Sequence, residues 1–135
     1  LVFKLNGGKS IEEPEHWARE IPEPPVIQAS AAQIEHGGEL YGEVCGFCHG
    51  IGVYGGPAVP DLRKMSEQTH RMFNEIVLEG VLEDRGMSNF SDRLSEADVN
   101  DIYAYINSRS WQDYKLQEEA KASTQSGEQT SALAN

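Results

Sequence analysis

The chain has 135 residues and a mass of 14.9 kDa, which is room for one domain and not for two. Its composition, with 39% hydrophobic and 24% charged residues, predicts a soluble globular protein, and no apolar run approaches the roughly 20 residues of a membrane-spanning helix. The 22 acidic and 11 basic residues give a net charge of -11. This balance argues against nucleic acid and anionic membrane surfaces as partners, because both select basic surfaces.

Residues 1–32 are predicted to form a proline-rich arm or linker, with a disordered terminus as the alternative. Pro14, Pro22, Pro24 and Pro25 fix the φ angle and remove backbone donors, which favours an extended segment over helix or sheet. No secretory leader pattern precedes the folded part. We therefore expect a mature protein or a piece excised from a longer one.

The central part of the chain has the periodicity of short helices separated by Gly- and Pro-rich loops. The first helix is predicted over about Ala32–Val44. Gly37 and Gly38 interrupt it, at a cost of about 1 kcal/mol each unless another element packs close to them. The second helix is predicted to follow Thr69, a good N-cap, and to stop at Gly80.

The third predicted helix follows Ser95, with Asp98 as its partner in an approximate capping box. Because this region lacks strand alternation of useful length, we predict an all-α domain over residues 33–111. Residues 112–135 have little to bury and are predicted to be a polar, disordered tail, with a frayed helix at its start. A domain of this size rarely has enough core without a staple, so a bound group is expected to fill its middle.

The stretch from Cys45 to His49 carries the chemistry. Cys-x-x-Cys-His is the attachment signature of a c-type haem. Cys45 and Cys48 have the spacing to form thioethers with two vinyl groups on one porphyrin edge, and His49 is placed as an axial ligand of the iron. A redox disulfide would need a βαβ context, and a zinc site would need a second pair of ligands. We predict one covalently bound haem c.

Three methionines are candidates for the second axial ligand: Met65, Met72 and Met87. Met72 lies on an apolar helix stripe, where core packing is the better explanation, and Met65 lies closer to the attachment motif. Met87 lies in a loop that can carry its thioether over the ring, and it is predicted as the ligand. Bis-His ligation through His36 or His70 is the competing model.

A proline-containing loop follows His49. A proximal histidine usually donates its second ring N–H to a carbonyl or a carboxylate, which fixes the ring. Proline keeps its carbonyl as an acceptor. The carbonyl of Pro60 is therefore the predicted acceptor from His49, with Pro57 as the second choice.

The order of these motifs resembles class I cytochrome c domains. More narrowly, it resembles the C-terminal haem domain of quinohaemoprotein alcohol dehydrogenases, whose larger part is a PQQ-binding β-propeller. The matching residues are Gly37, Leu40 and Tyr41 before the haem motif, Pro60-Asp61-Leu62, Gly86-Met87-x-x-Phe90, and the apolar stripe of the last helix from Val99 to Ile106. The resemblance implies three main helices around one covalently bound haem, preceded by the extended arm.

In functional terms, the resemblance implies an electron-transfer domain that is not an enzyme by itself. The PQQ dehydrogenase domain is the expected donor and a soluble redox protein the expected acceptor, so PQQ belongs only to the partner domain. Residues 1–8 resemble the last propeller strand. Gly37 fits a close crossing of the first and last helices, with Tyr41 and Tyr103 at the contact. Haem attachment in similar systems implies a periplasmic location.

Other functions remain open at this point. The chain is alternatively a free-standing periplasmic electron shuttle. A haem-based ligand sensor requires an open sixth position, and a thiol oxidoreductase would work through Cys45 and Cys48. The acidic surface suggests an acceptor with a basic docking face, whose association would depend on ionic strength.

Overall fold

A computed structural model describes residues 20–56 and 58–132 of the chain. All regular structure within these ranges is helical, which confirms the predicted all-α class. The elements in order are α1 (Ala31–Leu40), a π-helical turn (Tyr41–Cys45), α2 (Gly46–His49), α3 (Glu67–Arg71), α4 (Phe73–Leu78) and α5 (Glu96–Ala132), with 3-10 turns at Ile51–Val53, Leu62–Lys64 and Glu83–Arg85. The predicted propeller-like strand at residues 1–8 and Pro57 lie outside the described residues.

The first helical run is longer than predicted. It begins after Ser30, which forms a capping box with Gln33, and it continues through the π-helical turn to His49 instead of ending near Val44. The side chain of Tyr41 ties this run together, because its hydroxyl donates to the carbonyl of Gly50 at 2.8 Å. The haem-attachment motif is therefore the last part of the first helical run.

Helices α1 and α5 cross at Gly37, as the resemblance implies. A Cβ atom on Gly37 would lie 1.9 Å from the main-chain oxygen of Asp101. Only glycine permits this approach, since the obstacle is backbone and cannot rotate away. The two glycines predicted to weaken the helix are thus explained by packing, because Gly38 also lies against the ring of Tyr105.

The tyrosine beside Tyr41 differs from the expected one. Tyr105, and not Tyr103, packs against Tyr41, with ring centroids 5.3 Å apart. Tyr103 packs instead against Phe73 of α4, at 5.1 Å. Residues two apart on a helix point to different sides, so the face that α5 gives to α1 excludes Tyr103.

The second helical region starts earlier than predicted. Ser66 is the N-cap of α3 and its hydroxyl accepts the backbone N–H of Thr69, so Thr69 lies inside the helix. Met72 leaves helical geometry and separates α3 from α4. The end of the region agrees with the prediction, since Gly80 follows α4 with a φ of +71°.

Helix α5 begins with the predicted capping box. The backbone N–H of Ser95 donates to Asp98 at 2.9 Å, and the N–H of Asp98 donates to the hydroxyl of Ser95 at 3.2 Å. The helix then continues past Trp111 to Ala132, so residues 112–132 are helical where the sequence analysis expects a disordered tail. The division of the chain at residues 32 and 111 stays a prediction.

The described part of the arm is hydrogen-bonded to α5. Residues 20–29 have no regular secondary structure and follow α5. The side-chain amide of Gln117 accepts from the N–H of Ile21 at 2.8 Å and donates to its carbonyl at 3.0 Å. Asn107 and Trp111 both donate to the carbonyl of Pro25. The arm thus stabilises the part of α5 that has few apolar residues.

One hydrophobic cluster joins these elements, and Leu40, Val44, Cys45 and Met87 pack against it from the side. Its buried members are Tyr41, Val53, Met65, Phe73, Val77, Leu94, Val99, Ile102 and Ile106. A helix long and apolar enough to cross a membrane does not occur in the described ranges.

Candidate haem-attachment site

Two thiols and one imidazole share one side of the first helical run. Cys45 ends the π-helical turn, and Cys48 and His49 belong to α2. At about 100° per residue, the three side chains fall within about 100° of one another around the helix axis. Both cysteines are free, Cys48 is exposed, and His49 is buried with 9% of its surface accessible. The three predicted donors therefore follow one another on one helical run.

The ring of His49 has a main-chain neighbour. Its Nδ1 lies 3.4 Å from the carbonyl oxygen of Pro60. Burial lowers the pKa of His49, and the contact with Pro60 opposes this shift only in part. The neutral imidazole is thus favoured, and a proton on Nδ1 leaves the lone pair of Nε2 free to bind a metal.

The loop that carries Pro60 is fixed at both ends. At its start, the N–H of Gly55 donates to the carbonyl of His49 at 3.0 Å. At its end, Arg63 binds Asp61 through two nitrogens and reaches Asp113 of α5 at 3.2 Å. These contacts hold the carbonyl of Pro60 in place relative to α2 and α5.

A cleft of about 1100 Å³ adjoins this loop. Its walls include Tyr54, Pro60 and Met65 on the loop side and Glu20 and Pro22 on the arm. The predicted thioether cysteines and Met87 are not among the described residues that line it. The cleft and the thiol–imidazole set therefore meet at Pro60 but are not one cavity.

Met87 follows a turn that brings it back to the core. Gly86 has a φ of +91°, and the N–H of Met87 donates to the carbonyl of Leu82 at 3.1 Å. The side chain is half-buried and packs against the same hydrophobic cluster as Cys45. Met65 is a buried member of that cluster. Met72 is half-buried, and its sulfur accepts from a glutamine one turn earlier.

The histidines of the competing model have partners on α5. Nδ1 of His36 lies 2.9 Å from a carboxylate oxygen of Asp101 at the helix crossing, and the side chain of His36 is half exposed. Nδ1 of His70 lies 3.0 Å from the hydroxyl of Tyr103. Both side chains thus have roles in packing α5 against the other helices.

The pKa of Cys45 bears on the choice between haem attachment and thiol redox chemistry. Burial raises the pKa of Cys45 to about 11, and the neighbouring Cys48 adds to the shift. A thiol oxidoreductase needs the opposite, a lowered pKa that supplies thiolate at neutral pH. Within the described residues, no group of three or more His, Cys, Asp or Glu side chains could hold a metal ion. The raised pKa of Cys45 therefore does not favour thiol redox chemistry at this motif.

The helical fold and this donor set define a cytochrome c domain. Residues 32–106 match the family model described as cytochrome c oxidase, cbb3-type, subunit III, and the chain belongs to this cytochrome c family. It accordingly has covalently bound haem c as its cofactor and electron transfer as its role.

Similar proteins place the domain more narrowly. The chain is 36% identical over 121 residues to quinohemoprotein alcohol dehydrogenase ADH IIB of Pseudomonas putida, covering 89% of this chain and 18% of the relative. It is 31% identical over 125 residues to lupanine 17-hydroxylase [cytochrome c] of a Pseudomonas species, covering 91% and 18%. The solved structure of ADHIIG from Pseudomonas putida HK5 matches with a TM-score of 0.62 and 34% identity, covering 81% of this chain and 15% of that one.

These findings confirm the resemblance to the haem domains of quinohaemoprotein alcohol dehydrogenases. The chain spans less than a fifth of the length of these relatives. Sequence reasoning missed the Arg63–Asp113 contact, because the two residues are 50 positions apart and neither belongs to a motif. It also missed the role of Gly55, for which the pair Gly55-Gly56 was an available signal.

Proposed function

We propose that this chain is the haem module of a quinohaemoprotein alcohol dehydrogenase, which takes electrons from a PQQ-bearing dehydrogenase domain and passes them to a soluble redox protein. The observation that carries the proposal is the 36% identity to a quinohemoprotein alcohol dehydrogenase over 89% of this chain. In this proposal the chain oxidises no alcohol by itself. The module works in the periplasm, where haem attachment of this type is made in similar systems.

In the proposed site, Cys45 and Cys48 form the two thioethers, and His49 and Met87 are the axial ligands. Haem supplies one-electron chemistry at its iron when it is bound. The free lone pair of His49 and the half-buried thioether of Met87 support this assignment. The apolar cluster next to Cys45 and Met87 would keep water away from a haem held there.

The residues around His49 fix the orientation of its imidazole ring. The carbonyl of Pro60 holds the imidazole in one tautomer, and the ion pairs of Arg63 keep the Pro60 loop in place. A fixed ligand direction limits the rearrangement that accompanies each electron transfer. Pro60 and Arg63 are thus positioning residues in the proposal, and His49 and Met87 are the ligands.

The test of the axial assignment is Met87→Ala, with Met72→Ala as the matched control. We expect Met87→Ala to keep the covalent haem, lose the weak far-red absorption band of Met–Fe(III) ligation and bind added CO when reduced. Its reduction potential should fall by roughly 0.1 V or more, since axial ligands tune haem potentials over ~0.8 V. Met72→Ala should retain the spectrum of the unmodified protein.

Each failure has a separate meaning. An unchanged far-red band in Met87→Ala would refute Met87 as the ligand while leaving the haem module intact. A chain whose mass equals the bare polypeptide after expression with haem-attachment machinery would refute the module itself. Reduction of the isolated haem-bearing chain by an alcohol would refute the statement that oxidation belongs to another domain.

A further inference from the structure

Two large apolar side chains next to the attachment motif are almost fully exposed. Phe47 is 97% and Ile51 is 94% exposed, and we call this pair the Phe47–Ile51 patch. Single exposed apolar residues are common on protein surfaces, whereas neighbouring ones mark contact surfaces. Cys48 and His49 lie between Phe47 and Ile51 in the sequence, so the patch belongs to the chain segment that carries the redox site.

Helix geometry keeps the patch apart from the cofactor side. Phe47 lies two residues after Cys45 and two before His49, which is about 200° around the helix axis from each. Cys48 is about 100° from Phe47, so a group held by Cys45, Cys48 and His49 is centred on the side of the helix away from Phe47. Ile51 is presented between Gly50 and Gly52, which have φ angles of +75° and +76°.

The surroundings of the patch are acidic. The helical run that carries Phe47, residues 31–49, contains three Glu residues and no Lys or Arg. Glu39 and Glu43 precede the patch on the same helical run, and both are exposed. The next cations along the chain, Arg63 and Lys64, are paired with Asp61. A partner that fits here has an apolar centre and a basic rim.

The arm does not cover the patch within the described residues. Residues 20–25 lie along α5, where Gln117 holds Ile21 and Lys121 pairs with Glu20 at 2.8 Å. The patch lies on α2 and the turn that follows it. The described part of the arm therefore lies on a different element from the patch.

We propose that the Phe47–Ile51 patch is the docking surface for a separate electron-transfer protein whose contact face is apolar and rimmed by Lys or Arg. This inference rests on the proposed function and names the surface and the chemistry of the acceptor. Phe47 and Ile51 supply the desolvated centre of the contact, and Glu39 and Glu43 attract the basic rim. The peptide bond from Phe47 to Cys48 makes the path to the cofactor short.

The experiment uses the full-length haem-bearing polypeptide and a lysine-rich mitochondrial cytochrome c as the probe acceptor. We measure the second-order rate constant of electron transfer by stopped flow for the double variant Phe47→Ser/Ile51→Ser. The matched control is Val26→Ser, which removes another exposed apolar residue, 85% exposed, from the arm. The double variant should react roughly tenfold more slowly, as for the loss of an interface anchor, and the control should be unchanged.

Charge gives a second, independent readout. The rate of the unmodified protein should fall as salt is added, because opposite charges steer the encounter. The double variant Glu39→Gln/Glu43→Gln should flatten this salt dependence. Oxidation by a small inorganic oxidant should proceed at the same rate in all variants, which reports an intact haem.

Three results would overturn the docking surface. The first is an equal rate for Phe47→Ser/Ile51→Ser and Val26→Ser, and the second is a salt dependence that Glu39→Gln/Glu43→Gln leaves unchanged. The third is a slowing confined to alcohol-driven reduction of the haem, which would assign the patch to the dehydrogenase domain. A protein that the small oxidant cannot reoxidise would instead count against the proposed function.

Discussion

The crossing of α1 with α5 and the attachment segment from Cys45 to Ile51 are two parts of one helical run with opposite properties. At the crossing, Gly37 brings two backbones into contact, and the space is filled by the protein itself. In the attachment segment, the thiol of Cys48 and the side chains of Phe47 and Ile51 are exposed. The difference teaches that the first region specifies the fold, whereas the second carries the haem-attachment motif.

The largest expected effect is that of Gly37→Ala, which attacks the crossing. The new methyl group would collide with the main chain of Asp101, so the helices must separate. We expect the free energy of unfolding of the haem-bearing protein to fall by about 3 kcal/mol or more, measured by urea denaturation.

The matched control lies in the other region. A Cβ atom on Gly46 would meet its nearest neighbour, the main-chain oxygen of Tyr41, at 3.4 Å, which is an ordinary contact. Gly46→Ala should change the free energy of unfolding by no more than about 1 kcal/mol. Equal destabilisation by Gly37→Ala and Gly46→Ala would contradict the stated difference in packing between the two regions.

A smaller effect is expected from Gln117→Ala, which tests whether the arm is part of the packed region around the crossing of α1 with α5. The substitution removes both hydrogen bonds to the backbone of Ile21, and the loss of two partly buried bonds costs about 1 to 2 kcal/mol. Hydrogen exchange should show faster exchange of the Ile21 amide. Glu119→Ala, an exposed change on the same helix, should leave that exchange rate unchanged, and protection retained in Gln117→Ala would contradict the contact.

The smallest effect is expected from His36→Gln at the rim of the crossing. The hydrogen bond to Asp101 raises the pKa of His36 above its ordinary value of 6.5. A raised folded-state pKa gives stability that is complete below pH 6.5 and lost as the pH rises through the folded pKa. Urea denaturation should show a larger difference between unmodified protein and His36→Gln at acidic than at alkaline pH. If the difference in the free energy of unfolding does not change with pH, the His36–Asp101 ion pair does not contribute to stability.

Local signals in the sequence predicted much of the fold. The Ser95–Asp98 capping box and the stop at Gly80 each depend on a few neighbouring residues, and both are present. The close approach at Gly37 is also present, but it is expected from the family resemblance and joins residues 64 positions apart. The haem motif is equally local, and membership of the cytochrome c family confirms the predicted cofactor. The individual ligand assignments stay predictions, Met87 among them.

The remaining features depend on contacts between distant residues. Tyr41, at the start of the π-helical turn, packs against Tyr105 of α5, and Gln117, in the extended part of α5, binds the arm 96 positions earlier. Thr69 has the intrinsic preference of an N-cap, but Ser66 lies one turn earlier and takes that place. Periodicity within one segment contains no information about such partners.

The acceptor beside His49 is a main-chain atom, and this has a consequence for sequence variation. Every amino acid carries a backbone carbonyl, so position 60 can change without removing the acceptor, provided that the loop keeps its path. Gly55 controls that path, since its φ is +68° and a Cβ atom there would lie 2.7 Å from the carbonyl of Pro60. Sequence change among homologous modules should therefore be tolerated at position 60, which supplies the acceptor to the imidazole, and restricted at Gly55, which bonds only the main chain of His49.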